Sequence, residues 1–112
     1  MDPAHDLVVQ RREGLYCPQG DFFIDPWRPV ERAVITHGHG DHARPGMDEY
    51  HVAAPGLPIL QWRLGEQCYH AHAYGEPFVL GAARVSLHPA GHVLGSAQVR
   101  IEVGDRVWVA SG

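Results

Sequence analysis

The segment Thr36-His37-Gly38-His39-Gly40-Asp41-His42 constrains this chain more than any other. It comes directly after Ala33-Val34-Ile35-Thr36, an unbroken apolar run of the kind that fills a strand buried on both faces. Four groups able to bind a metal, His37, His39, Asp41 and His42, fall within six positions. The glycines between them let the backbone turn tightly and bring the side chains together. His37 and His39 can converge on one ion from a loop. Asp41 and His42 lie beyond, where a helix can start, and reach a second ion. Nitrogen and oxygen donors of this kind suit zinc, and also manganese or iron.

A fifth ligand candidate is His92, in Leu87-His88-Pro89-Ala90-Gly91-His92-Val93-Leu94-Gly95-Ser96. It too follows a strand pattern and is flanked by glycine. His92 gives the first ion three imidazoles and leaves a position for water, the catalytic rather than the structural form of a zinc site. The chain as a whole is rich in such donors, with nine histidines in 112 residues.

The charge balance excludes one class of function. Thirteen acidic residues outweigh nine basic ones, all arginine, for a formal net charge of −4. Such a chain does not grip nucleic acid by clustered positive charge alone; bound metal or a further segment has to supply it. With 45% hydrophobic and 20% charged residues the chain is globular rather than disordered. Two cysteines, Cys17 and Cys68, make no disulfide framework and read as reduced cytosolic thiols. Met1 to Val9 has no basic stretch of the signal-peptide type, and no apolar run nears the roughly 18 residues of a membrane span.

Short strands dominate the rest: Leu7–Gln10, Leu15–Cys17, Phe22–Asp25, Ala33–Thr36, Tyr50–Ala53, Phe78–Leu80, Arg84–Leu87, Gln98–Val103 and Arg106–Val109. Gly104-Asp105 joins the last two as a hairpin. One helix is predicted after the Pro55-Gly56 break, with Leu57, Leu60 and Leu64 on one face and Gly65 closing it. The pattern predicts an α/β chain with helices covering a sheet.

His37-Gly-His39-Gly-Asp41-His42 resembles the His-x-His-x-Asp-His signature of the metallo-β-lactamase superfamily. Asp25, ending the preceding strand, matches that superfamily's first motif, an Asp that braces the metal loop. Pro89-Ala90-Gly91-His92-Val93-Leu94-Gly95-Ser96 resembles the third motif in the nucleic-acid-processing branch, which includes Artemis-type DNA nucleases and the pre-mRNA 3′-end endonuclease. Gly14-Leu15-Tyr16-Cys17-Pro18-Gln19-Gly20-Asp21 and Asp25-Pro26-Trp27 bring the chain closest to the bacterial ligase-associated DNA exonucleases. The likeness runs over about residues 7–112.

The resemblance implies the N-terminal part of an αββα sandwich, with residues 1–112 a partial domain. In the family a strand like Val107 to Ala110 leads to Ser-Gly-Asp, whose Asp bridges two metals. Here Ser111-Gly112 is the last of the sequence. A later His ligand and an inserted cap domain that helps hold nucleic acid also lie beyond it. The complete enzyme is expected to hold two zinc ions, with manganese or iron as alternatives. His37, His39 and His92 would serve the first ion, and Asp41 and His42 the second. This stretch retains mainly the first site and is expected to be weakly active or inactive alone.

Asp41 is also the residue expected to orient the attacking water or take its proton, and Asp25 to accept an imidazole N–H and fix the ring. The implied activity is metal-dependent phosphodiester hydrolysis: a cytoplasmic DNA exonuclease in repair, beside a DNA ligase and a helicase, with RNA a possible substrate and no membrane partner. Two alternatives stand beside it. One is a small-molecule hydrolase of the same fold, of thioesterase or lactamase type. The other is a metal-binding protein without catalysis.

Other residues are read more plainly. His70-Ala71-His72, in a polar stretch flanked by Gly and Pro, is expected in a solvated loop. His5 and His51 are placed on the surface, and His88 at a strand end. Cys17 and Cys68 are read as packing residues, Arg11-Arg12 as a solvated edge, and Trp27 and Trp62 as core.

Overall fold

The computed structural model describes residues 7–37, 43–90 and 96–110. Among them ten strands and one α-helix form two sheets. The first sheet has six strands in chain order: β1 (Val9–Gln10), β2 (Leu15–Cys17), β3 (Phe22–Ile24), β4 (Arg32–Val34), β5 (Glu49–Ala53) and β6 (Tyr69–His72). β1, β2 and β3 pair antiparallel; β3, β4, β5 and β6 run parallel. The crossover from β5 to β6 carries a 3-10 turn (Ala54–Gly56) and α1 (Leu57–Leu64). The second sheet is an antiparallel meander of β7 (Phe78–Leu80), β8 (Ala83–Pro89), β9 (Ala97–Val103) and β10 (Arg106–Ala110).

Alternation along β4 and its extension explains the apolar run. Ala33 and Ile35 join Tyr50, Val52 and Leu60 in a core between the first sheet and α1. Val34 points the other way, into a core shared with Val85, Leu87, Val99 and Ile101 of the second sheet. A strand with both faces covered has no place for alternating polar residues. The described layers are therefore helix, sheet, sheet. On the outer face of the second sheet Val79, Arg84, Glu102 and Val107 stand opposite one another in one row, and both valines are exposed.

The helix forms as predicted. Pro58 sits in its first turn, Leu60 is buried and Gly65 ends it with φ 72°. Trp62 does not join the core; it is 86% exposed, opposite the buried face of α1. Trp27 is likewise exposed, in the loop after β3. Gly104 takes φ 60° at the predicted β9–β10 hairpin. β6 was not predicted. His70 and His72 break the apolar signature, yet Tyr69 and Ala71 alternate with them and Tyr50 pairs with Tyr69.

Candidate metal centre

β3 is followed by Asp25, whose φ of 47° is left-handed, a conformation that Asp tolerates better than most residues. The turn aims the Asp25 carboxylate across the end of β4. Thr36 donates its backbone N–H to Asp25 Oδ1 at 2.8 Å and its hydroxyl to Oδ2 at 2.6 Å. The Asp25 N–H donates to the Val34 carbonyl at 3.0 Å. Thr36 and His37 are buried. A two-oxygen clamp of this kind fixes the exit direction of the chain one residue before His37.

The second sheet meets the same point. Ala97, the first residue of β9, donates its N–H to the Thr36 carbonyl at 2.7 Å. Ser96 accepts from the Ala90 N–H at 3.4 Å and from the Tyr74 hydroxyl at 2.8 Å. The residues flanking 91–95 are thus drawn together beside the residue that precedes His37. His39, Asp41, His42 and His92 themselves lie outside the described residues, as does His5. Of the residues predicted for the site, Asp25 and His37 are described.

A second group of donors was missed by the sequence reading. Glu49 and His51 of β5 and His70 and His72 of β6 share one face, with His51 paired to His70 and Ala53 to His72. His51 is buried rather than on the surface, because β5 is an interior strand between β4 and β6. His70-Ala71-His72 is strand rather than solvated loop. Glu49 Oε1 lies 3.3 Å from His51 Nε2 and 3.8 Å from His70 Nε2. His51 Nδ1 and His72 Nε2 share a hydrogen bond at 3.0 Å. Cys68, expected to pack inside, is exposed, with its Sγ 3.5 Å from His70 Nε2.

The rings are stacked. His51 and His70 centroids are 4.7 Å apart, and His72 lies 3.6 Å from Phe78 of the second sheet. Burial, opposed by the Glu49 hydrogen bond and joined by repulsion from His70 and His72, brings the His51 imidazolium down to about 4. Burial, then repulsion from His70, lowers His72 as well. Both rings are therefore neutral near pH 7, the form that binds metal. Glu49, His51 and His70 offer three ligand atoms within 4.8 Å of one another. The signal available in the sequence was the two-residue spacing of Glu49/His51 and of Cys68/His70/His72, which a pair of strands turns into one face.

No protein-family model matches the chain. Among solved structures it is similar to CmlA, a diiron β-hydroxylase from Streptomyces venezuelae, with a TM-score of 0.68 at 18% identity over 98% of this chain and 30% of CmlA. A variant of the CmlA β-hydroxylase gives 0.66 at 16% identity over 97% and 30%. CmlA has the metallo-β-lactamase fold, and that is the fold of this chain. A curated protein named "Probable DNA ligase" from Opitutus terrae is 35% identical over 99 residues. That match takes in 87% of this chain and 10% of the ligase-named protein, so the chain spans a tenth of its curated relative. Among the described residues no helix is long and apolar enough to cross a membrane.

Proposed function

We propose that residues 1–112 are part of a metallo-β-lactamase-type domain whose complete form hydrolyses phosphodiester bonds as a metal-dependent DNA exonuclease. The observation that carries this reading is the pinning of Thr36, by Asp25 from one sheet and Ala97 from the other, at the root of the His37–His42 motif. The similarity to a protein named "Probable DNA ligase" supports DNA, rather than a small molecule, as the substrate. On this reading the enzyme works in the cytoplasm in repair, alongside a DNA ligase and a helicase.

The donor set fits a metal: imidazoles and a carboxylate after a buried, braced strand end. His37, His39 and His92 hold a first zinc ion; Asp41 and His42 contribute to a second, with manganese or iron as substitutes. When bound, a metal pair neutralises phosphate oxygens and makes water acidic enough to attack near neutral pH. Asp25 fixes the loop through Thr36, and Asp41 orients the attacking water or takes its proton.

The test is a nuclease assay on the full-length parent, with end-labelled single- and double-stranded DNA. Stepwise shortening that chelator and Asp41→Ala both abolish is expected. A metal-loaded parent that cleaves neither DNA nor RNA overturns the reading in favour of a small-molecule hydrolase.

A further inference from the structure

We propose that Glu49, His51, His70 and Cys68 form a second metal centre, a structural zinc-type site that ties β5 to the neighbouring strand β6 and is built from residues outside the His37–His42 motif. The argument begins with register. His51 stands opposite His70 in the parallel ladder, and the Tyr50 N–H donates to the Cys68 carbonyl at 2.8 Å. Glu49 and His51 of β5 and His70 of β6 therefore share one face, and Cys68, just before β6, continues the alternation.

Three of the four ligand atoms, from Glu49, His51 and His70, already stand within 4.8 Å of one another. Four ligands at about 2.0–2.3 Å from a tetrahedral zinc stand about 3.3–3.8 Å from one another. Glu49 Oε1 to His51 Nε2 is 3.3 Å and Glu49 Oε1 to His70 Nε2 is 3.8 Å; Cys68 Sγ lies 3.5 Å from His70 Nε2, outside the group of three, and its exposed side chain turns inward to complete the shell. Two of the side chains are also oriented from behind. The Arg32 guanidinium lies 3.9 Å from Glu49 Oε2, leaving Oε1 toward the histidines. His72 engages His51 Nδ1, so Nε2 is the nitrogen offered to the metal.

Charge closes the shell. A divalent ion with one carboxylate and one thiolate is neutral overall, which suits a site where His51 is 5% exposed. Cys68 and His70 are exposed and give the ion its way in. The Cys68 thiol proton leaves to solvent as the Sγ–metal bond forms. A full set of four protein ligands marks a structural rather than a catalytic site.

The test counts metal and reads its ligands on the whole 112-residue chain. After zinc loading and dialysis, His70→Ala and Glu49→Gln are each expected to lose one equivalent of zinc. A His39→Ala/Asp41→Ala double variant is expected to keep that equivalent. His70 is half-exposed, and Glu49→Gln preserves shape, so circular dichroism of both should match the parent chain. In the cobalt-substituted chain a thiolate-to-cobalt charge-transfer band is expected, absent in Cys68→Ser and retained in Cys17→Ser. Unchanged zinc content in folded His70→Ala and Glu49→Gln overturns the site. So does a cobalt spectrum without a thiolate band, or one whose band follows Cys17.

Discussion

Asp25 holds both hydrogens of Thr36, the amide N–H at 2.8 Å and the hydroxyl at 2.6 Å, and so ties the end of β3 to the end of β4. Thr36 is buried, so nothing in solvent replaces these bonds. Asp25→Ala leaves two donors unsatisfied and puts alanine at a left-handed φ. A loss of about 2–4 kcal/mol in urea unfolding is expected. Asp25→Asn keeps an acceptor for the amide and tolerates that φ, and should lose less than half as much. If the clamp positions the metal loop, Asp25→Ala should also weaken zinc binding about 10–100-fold.

The two left-handed hairpin glycines separate strain from collision. A Cβ at Gly104 meets nothing within 4 Å, whereas one at Gly81 falls 2.6 Å from the Gln19 carbonyl oxygen. Gly104→Ala should cost only the backbone term, about 1–2 kcal/mol. Gly81→Ala should cost at least about 1 kcal/mol more, because backbone rather than a flexible side-chain end must move. Parallel urea titrations check the difference.

Helix α1 presents two large residues in opposite environments. Leu60 is 2% exposed in the core beneath the helix, and Trp62 is 86% exposed. Leu60→Ala should destabilise by about 2–5 kcal/mol. Trp62→Ala should stay within about 0.5 kcal/mol of the parent chain. Thermal unfolding of the two variants reads the contrast.

His51 sets an acid limit for the metal-free chain. Its folded value of about 4 lies below the usual 6.5, so the unfolded chain binds the proton more readily. Stability is therefore whole above pH 6.5 and falls as pH drops from about 6.5 toward about 4. The loss should reach about 2–3 kcal/mol, measured by urea unfolding in chelator across that range. Glu49, His70 and His72 face the same ring. His51→Gln should flatten the slope; an unchanged slope would place the titration elsewhere.

By itself the sequence determined the local and the repetitive. The run Ala33–Thr36 announced a strand covered on both faces, Gly104-Asp105 a hairpin, and Leu57, Leu60 and Leu64 with Gly65 a helix and its end. These are short-range signals, carried by the period of burial and by backbone freedom. The His37–His42 motif rests on the same kind of short-range signal, since its donors fall within six positions of the chain.

Tertiary structure decided what depends on pairing. Nothing local marks His51 as buried; it is buried because β4 and β6 flank its strand. His70 and His72 read as polar loop, and Cys68 as a packing residue, until parallel pairing with β5 sets them beside Glu49 and His51. The bond from Ala97 to Thr36 joins residues 61 positions apart through contact between the two sheets. Spacing along one strand predicts which side chains share a face, but which strand lies next to it is settled only when the sheets close on a common core.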